Sequence, residues 1–311
     1  MYIGIDLGGT NIAAGIVDKS GKIIVKDSVP TLKERPTDEI VCDMAELSKK
    51  LIKDSGINIS EIESVGIGCP GTVDGKTVIY SNNIPMDHYP MAEKFRLHLD
   101  LPVIIDNDAN CAALGEYTIN GNGAGVFVMI TIGTGIGGGV IINGRIFHGF
   151  NGAAAEPGHI TLISGGEKCT CGKDGCWEAY ASATALISQT KKAIELNPDS
   201  IMSELAEKDG GVSGKTAFEA AKKGDKAGIG VVEQYVRYLA DGLVSVENIF
   251  QPEIIAIGGG VSKEGDYLME PVREYVRKNG FNKFMPKTKI TAAKLFNDAG
   301  IIGAAMLADK D

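Results

Sequence analysis

The sequence has few basic residues, and this shortage excludes one class of partner. Its 311 residues include 31 Lys and Arg against 40 Asp and Glu, a formal net charge of −9. A nucleic-acid surface needs a basic face that neutralises phosphates. We therefore expect no nucleic-acid partner, although backbone N–H groups of an acidic protein can still bind a small anion.

No pattern in the sequence predicts export or a membrane anchor. Residues 1–6 have no basic stretch, apolar core or cleavage site, so a cytoplasmic location is expected. The long uncharged stretch at residues 117–144 contains nine glycines and an Asn-Gly turn. This composition fits two buried strands better than a spanning helix, so no membrane partner is expected.

Two glycine-rich meanders organise the chain. Residues 2–17 read as strand, glycine turn and strand, with a third strand near residues 22–26. The second meander repeats that order as strand 126–132, turn 133–139, strand 140–142, an Asn-Gly turn and strand 145–148. The repeat predicts a duplicated α/β architecture.

Helical and buried-strand patterns follow each meander. Apolar spacing of helical period covers residues 36–55, and a final helix at 298–308 has the small residues that suit close packing. Short apolar runs indicate buried parallel strands at residues 65–68, 103–105 and 254–257. The predicted domains are residues 1–115 with the C-terminal helix at about 298–311, and residues 116–297.

The turn of each meander is a candidate phosphate site. Residues 133–138 match the dinucleotide fingerprint formally, but a strand follows where that fingerprint requires a helix. Turns of small residues expose consecutive N–H groups that can wrap a phosphate. Tight turns without a ligand are the alternative; the matched pair favours phosphate binding by Gly8-Gly9-Thr10-Asn11 and Gly133-Thr134-Gly135.

Two further features suit a nucleotide. Asp6 ends the first strand and could hold Mg²⁺ through water. After the apolar run 254–257, the chain has three consecutive glycines that are a candidate to lie against an adenosine: Gly258, Gly259 and Gly260.

The six cysteines fall into two groups. Three lie singly in apolar surroundings and are expected in the core: Cys42, Cys69 and Cys111. The others form a Cys-x-Cys-x4-Cys pattern that begins ten residues after His159: Cys169, Cys171 and Cys176. Three thiolates and an imidazole complete a tetrahedral structural zinc site, and a reducing cytosol disfavours disulfides. A redox pair is the alternative.

Asp108 is the candidate catalytic base. It lies in the segment Asp-Asn-Asp-Ala-Asn at residues 106–110, after a predicted strand and at the start of a helix. Ligands of open α/β sheets bind at the carboxyl ends of strands. A carboxylate there can accept the proton of an attacking hydroxyl, as phosphoryl transfer requires. An ordinary helix N-cap is the alternative.

Two glutamates flank the predicted zinc ligands. Glu156 precedes His159 by three residues, and Glu178 follows Cys176 by two. A metal that fixes the ligands fixes both carboxylates, which are strong acceptors for the hydroxyls of a polyol. His159 could bind zinc through one ring nitrogen and a ligand through the other. Solvated loop charges are the alternative for the glutamates.

The remaining histidines and the single tryptophan receive no functional assignment. Trp177 is expected to pack over the loop rather than stack on a ligand. The other histidines lack comparable neighbours in the sequence and are expected to be structural or exposed: His88, His98 and His148.

Together these motifs resemble the ROK family (repressors, open reading frames and kinases) of the actin-like ATPase superfamily. The resemblance spans nearly the whole chain and is most specific in the zinc loop, residues 169–178. It also covers the first glycine turn, the turn at residues 67–71, the segment 105–116 and the stretch 133–159. Pro157 departs from many relatives, and no functional consequence is expected.

The resemblance implies an actin-like ATPase (ribonuclease H-like) fold whose two domains enclose a cleft. It assigns the sugar to Asn107, Asp108, Glu156, His159 and Glu178, with Asp108 as the base, and more weakly to Gly71 and Asn83. The nucleotide set is Asp6, Gly8, Gly9, Thr10, Asn11, Thr131, Gly133, Thr134, Gly135, Gly258, Gly259 and Gly260. ATP, Mg²⁺ and structural zinc are the implied cofactors, and a homodimer is the implied assembly.

The expected activity is transfer of the terminal phosphoryl group of ATP to the 6-hydroxyl of a hexose, with glucose as the first choice. An N-acetylmannosamine kinase or another hexose kinase of the same family is the nearest alternative, and polyphosphate or ADP stays open as donor. A non-catalytic sugar sensor and a structural zinc protein represent other classes. Family repressors carry an N-terminal helix-turn-helix, whereas the first strand here is predicted from residue 2, so no DNA binding is expected.

Overall fold

A computed structural model describes residues 1–81, 83–282 and 284–309. The strands are β1 (Tyr2–Leu7), β2 (Asn11–Val17), β3 (Ile23–Pro30), β4 (Ser64–Cys69), β5 (Thr72–Val73), β6 (Val78–Ser81), β7 (Met86–Tyr89), β8 (Val103–Asn107), β9 (Val126–Ile132), β10 (Ile136–Ile142), β11 (Arg145–Ile146), β12 (Ile254–Gly259) and β13 (Lys289–Ala292). The α-helices are α1 (Thr37–Ser55), α2 (Met91–Arg96), α3 (Asp108–Asn120), α4 (Glu178–Ala181), α5 (Ala183–Leu196), α6 (Met202–Lys208), α7 (Thr216–Lys222), α8 (Lys226–Phe250), α9 (Asp266–Asn279) and α10 (Asp298–Ala305). None of these described helices combines the length and apolarity needed to cross a bilayer.

The first sheet has the strand order β3-β2-β1-β4-β8. β1, β2 and β3 form the predicted antiparallel meander, and β1, β4 and β8 run parallel. The register places Asp6 beside Gly68, and Gly68 beside Asp106. Since parallel strands end at the same edge, this edge of the sheet collects the carboxyl ends of β1, β4 and β8.

Helix α1 covers this sheet with the face that its sequence predicts. Ile40, Met44, Leu47 and Leu51 recur at helical spacing, and all four are buried. The helix ends at Gly56, which adopts a left-handed conformation and donates its N–H to the carbonyl of Lys53. The predicted helix at 36–55 is confirmed.

Helix α10 packs against β1, β4 and α3 at backbone distance. A Cβ at Gly66 would lie 1.7 Å from the carbonyl oxygen of Ala304, and one at Gly303 would lie 1.6 Å from that of Cys111. Only glycine fits at such separations. The prediction that the small residues of the final helix serve close packing is confirmed, although the α-helix ends at Ala305 and a 3₁₀ turn follows.

The second sheet has the order β11-β10-β9-β12-β13. The prediction of a long turn at 133–139 is wrong, because β10 already begins at Ile136. The glycines there form a strand that passes close to a helix: a Cβ at Gly139 would lie 2.5 Å from the Cβ of Ala113 in α3. The predicted strand 145–148 is also shorter and ends at Ile146.

The chain divides into two compact units. The first unit comprises residues 1–129, 139–155 and 294–311, and the second comprises residues 130–138 and 156–293. The predicted boundary after residue 115 falls inside α3, which continues to Asn120. The first unit includes α10, as its packing on β1 and β4 requires.

Candidate active site

Asp108 lies in the first unit, at the carboxyl end of β8 and the start of α3. The N-cap of α3 is Asn107, whose side-chain Oδ1 accepts the N–H groups of Ala109 and Asn110 at 2.9 and 3.2 Å. Asp108 therefore is not the N-cap, although its own Oδ1 also lies 2.9 Å from the N of Ala109. The alternative interpretation of Asp108 as an ordinary cap loses its main argument.

Two carboxyl groups at this edge have raised pKa values. Burial raises the pKa of Asp108, against the opposing effect of its backbone hydrogen bonds. Burial, and secondly the nearby charge of Asp108, raise the pKa of Asp6 to about 7. Both side chains would gain from a cation or a proton placed close to them.

The predicted sugar residues of the first unit lie on neighbouring elements. Asn107 donates its side-chain Nδ2–H to the carbonyl oxygen of Gly71 at 3.0 Å. Gly71 has φ +106 and passes so close to Ser81 that a side chain would not fit. Asn83 lies in an exposed turn between β6 and β7. The structure thus brings Gly71 and Asn107 into direct contact.

The first glycine turn is a closed hairpin tip. Gly8 donates its N–H to the carbonyl of Asn11 at 3.0 Å. The buried Thr31 donates its hydroxyl to the carbonyl of Gly8 at 2.6 Å and its backbone N–H to the carbonyl of Thr10 at 2.9 Å. A Cβ at Gly9 would meet open space, and Gly9 does not have a positive φ. Neither packing nor backbone conformation explains this glycine, whereas close approach of a ligand would.

The second unit contains the predicted metal cluster. One ligand atom from each of His159, Cys169, Cys171 and Cys176 lies within 4.8 Å of all the others. The Sγ atoms of Cys171 and Cys176 are 3.6 Å apart, and Cys169 Sγ is 3.7 Å from His159 Nδ1. A zinc ion with Zn–S bonds of about 2.3 Å places tetrahedral sulfurs about 3.8 Å apart. The donor set and its spacing fit zinc, and the thiols are too far apart for a disulfide of about 2.05 Å.

Glu178 lies between this cluster and the second glycine turn. Its Oε2 accepts the N–H of Ile136 at 2.9 Å, and its Oε1 is 3.6 Å from Cys169 Sγ. A Cβ at Gly135 would lie 2.1 Å from Oε2, so this glycine makes room for the carboxylate. Glu156 is exposed and precedes the 3₁₀ turn Pro157–His159.

Trp177 directly follows Cys176 of the cluster and packs in the protein interior. Its fully buried indole donates Nε1–H to the carbonyl of Tyr238 at 2.9 Å, and the ring occupies the space that a side chain at Gly242 would need. The prediction that Trp177 packs rather than stacks on a ligand agrees with this placement.

The glycines assigned to the nucleotide differ in their surroundings. A Cβ at Gly133 or Gly260 would meet open space, as at Gly9. Gly259 instead has φ +94 and packs against the carbonyl of Ile132, so the fold itself requires it. The remaining residues of this set in the second unit are Thr131 near the end of β9, Thr134 at the exposed tip of the turn and Gly258 in the buried part of β12.

One histidine–carboxylate pair in the first unit could not be predicted from the sequence. His148 Nε2 lies 2.6 Å from Oδ2 of Asp106, and β11 ends before His148 as the chain turns toward this contact. The two residues are 42 positions apart, and no local pattern joins them. His88 and His98 are exposed, as expected.

The duplicated meanders, the acidic strand edge and the Cys₃His loop define an α/β protein of the actin-like ATPase class. A profile of the ROK family matches residues 2–311. The chain therefore belongs to the ROK family.

Its relatives include glucokinases that match over nearly their full length. The glucokinase of Streptomyces coelicolor is 38% identical over 99% of this chain and 97% of its own. That of Halalkalibacterium halodurans is 37% identical over 98% of this chain and 94% of its own. Among solved structures, a ROK family glucokinase from Streptomyces griseus in complex with glucose and AMPPNP is 37% identical, with a TM-score of 0.83 over 100% of this chain and 99% of that one.

Proposed function

We propose that this protein is an ATP-dependent glucokinase that phosphorylates the 6-hydroxyl of glucose. The observation that carries the proposal is Asp108, a half-buried carboxylate at the carboxyl end of β8 that is not the N-cap of α3. Glucokinases that align along nearly the whole chain give the substrate class.

In the proposed step, Asp108 accepts the proton of the sugar 6-hydroxyl. The hydroxyl oxygen forms a bond to the γ-phosphorus while the bond from that phosphorus to the β,γ-bridging oxygen breaks, leaving ADP. The raised pKa of Asp108 makes its carboxylate a stronger base than an exposed aspartate. Asn107, held by Gly71, bonds a neighbouring sugar hydroxyl.

The remaining sugar hydroxyls are assigned to Glu156, His159 and Glu178. His159 Nδ1 points to the thiols, which leaves its Nε2 as the nitrogen for a hydroxyl. With His159, the three cysteines would hold a structural zinc ion, which supplies stability rather than chemistry. Fixing the loop orients His159 and Glu178, because both belong to or contact it.

The nucleotide is assigned to the two glycine turns and to Gly258-Gly259-Gly260. Open space beside Gly9, Gly133 and Gly260 supports backbone contact with phosphates or adenosine. Asp6 would hold Mg²⁺ through water, and a bound cation would favour its ionised form. Mg²⁺ supplies charge neutralisation for the transferred phosphoryl group.

A cytoplasmic location and a homodimer stay predictions. Both derive from the sequence and the family resemblance. Light scattering at several concentrations tests the dimer directly.

The deciding experiment is a sugar panel coupled to ADP release, run on the wild type and Asp108→Asn. We expect turnover with glucose above N-acetylmannosamine, mannose and fructose, and a loss of about 10²–10⁴-fold in kcat for the variant. ADP and polyphosphate replace ATP in parallel assays that measure the hexose phosphate formed, because neither donor releases ADP. If Asp108→Asn folds, binds glucose and turns over at nearly the wild-type rate, Asp108 is not the base. If the wild type turns over only another hexose, glucose is not the substrate.

A further inference from the structure

The pair formed by His148 and Asp106 has no part in the mechanism above, although it lies beside the proposed base. Asp106 is 4% exposed, and Oδ2 of its carboxylate is 2.6 Å from Nε2 of His148. Both residues belong to the first unit. A buried carboxylate is costly unless donors compensate it, and the imidazole supplies one such donor.

Asp106 connects this imidazole to the segment that carries the base. Its Oδ1 accepts the backbone N–H of Asn107 at 2.7 Å and the side-chain N–H of Asn110 at 2.9 Å. Asn107 in turn caps α3 through the N–H groups of Ala109 and Asn110. The hydrogen bonds therefore run from His148 through Asp106 to both sides of Asp108.

A second histidine–aspartate pair in the chain has a similar distance but lies on the surface. His88 Nδ1 lies 2.7 Å from Asp87 Oδ1, but those side chains are 75% and 82% exposed. Exposed pairs of this kind contribute little to structure or stability. In the pair formed by His148 and Asp106, by contrast, the Asp106 side chain is only 6% exposed, and its other oxygen accepts hydrogen bonds from the segment that begins α3.

His148 lies on the wall of a cavity of about 880 Å³ in the first unit. Apolar side chains form much of the lining, among them Ile79, Ile104, Leu114 and Leu307. His148 itself is 47% exposed, so small molecules can reach its position from solvent. Truncation of its side chain would leave room for a free imidazole next to Asp106.

We propose that His148 is a positioning residue for phosphoryl transfer, an inference that rests on the proposed function. By donating to Asp106, it holds the β8–α3 junction so that the Asp108 carboxylate meets the sugar hydroxyl. Without this donor, the buried carboxylate lacks one of its partners, and the junction shifts toward a new arrangement. A small displacement of a base lowers turnover more than it lowers binding.

The test is chemical rescue of His148→Ala. We expect kcat to fall about tenfold while the KM values for glucose and ATP change less than about twofold. Added imidazole should restore at least half of the lost kcat. At a pH about two units above the unperturbed imidazole pKa, 1-methylimidazole should restore little, because its neutral form has no N–H donor.

Two further variants serve as controls. His88→Asn removes the exposed pair, with a residue that tolerates the positive φ at this position, and should keep wild-type kcat with or without imidazole. The double variant His148→Ala, Asp106→Asn should not respond to imidazole, since the charged acceptor is gone. Circular dichroism and the thermal midpoint are recorded for each variant.

The outcomes separate this inference from the proposed function. If the wild type is active and His148→Ala has the same kcat, the positioning role alone is overturned. So does a loss of kcat that imidazole fails to restore, or restores equally in the double variant. No turnover by the wild type with any hexose and donor overturns the proposed function, and the positioning role with it.

Discussion

At the scale of single residues, Asp6 gives the clearest electrostatic prediction. Its pKa is raised from 3.8 to about 7 by burial and then by Asp108, so the folded protein holds a proton that the unfolded chain releases near pH 4. The stability that depends on this proton is fully present below pH 4 and is lost as the pH rises through 7. A shift of this size corresponds to at most about 4 kcal/mol.

Asp6→Asn should remove this loss. In urea unfolding without Mg²⁺ or nucleotide, the free energy of the wild type should fall relative to that of the variant between pH 5 and pH 8, by at most about 3 kcal/mol. Asp18→Asn is the control: hydrogen bonds from Ser20 and Lys22 lower the pKa of Asp18, so its removal should leave the wild-type loss in place. Equal loss between pH 5 and 8 in Asp6→Asn and the wild type would contradict the assignment.

Substitution of Gly9 tests nucleotide binding with little effect on folding. A Cβ there meets open space, so Gly9→Ala should keep the unfolding free energy within about 0.5–1 kcal/mol of the wild type. If phosphates contact this backbone, KM for ATP should rise about tenfold while KM for glucose stays unchanged. Gly230→Ala, in an exposed part of α8 with equal space, should leave both KM values alone. Equal KM values for ATP in Gly9→Ala and Gly230→Ala would remove this turn from the nucleotide site.

At the scale of elements, α10 depends on close backbone contact as well as on the packing of its buried side chains. The Cβ of Gly303→Ala would overlap the carbonyl oxygen of Cys111, so α3 and α10 must separate. We expect destabilisation of about 1–3 kcal/mol or more in denaturant unfolding. The same substitution at Gly230 should stabilise by up to about 1 kcal/mol, because it only improves helix propensity. A Gly303→Ala protein as stable as the wild type would show that the contact is not tight.

The sequence predicted those elements whose pattern repeats locally. The spacing of Ile40, Met44, Leu47 and Leu51 predicts α1, and the matched glycine turns predict both meanders. It failed where tertiary contact overrides propensity. β10 begins at Ile136, earlier than predicted, because its glycines allow a strand to lie against α3. β11 ends early where the chain turns toward Asp106.

At the scale of the whole molecule, the same distinction holds for the candidate site. Cys169, Cys171 and Cys176 lie close in sequence, and their spacing alone predicts the cluster that they form with His159. The strand-end position of Asp108 was likewise predictable from the preceding apolar run. The contact of His148 with Asp106 was not, because it depends on where two distant segments pack. Site residues that lie close together in the sequence can be predicted from it, whereas hydrogen-bond partners from distant segments become known only from the fold.

The two units differ in how they should respond to metal removal. The four ligands belong to the second unit, while the first has its own apolar core of β1, β2, β4, β8 and α1 residues. Structural zinc contributes about 10–16 kcal/mol in small domains, as much as the whole stability of many domains. Chelation should therefore unfold the zinc loop rather than loosen the protein evenly.

Hydrogen exchange with mass spectrometry measures this difference. After chelation, residues 156–182 should lose protection by an order of magnitude or more, while β1, β4 and β8 keep theirs. Cys171→Ser should reproduce the pattern without a chelator, and Cys42→Ser, in α1 and outside the cluster, should not. Equal protection of the loop with and without the ion would mean that hydrogen bonds alone order it. The orientation of Glu178 and His159 would then not depend on metal, and glucose affinity should survive chelation unchanged.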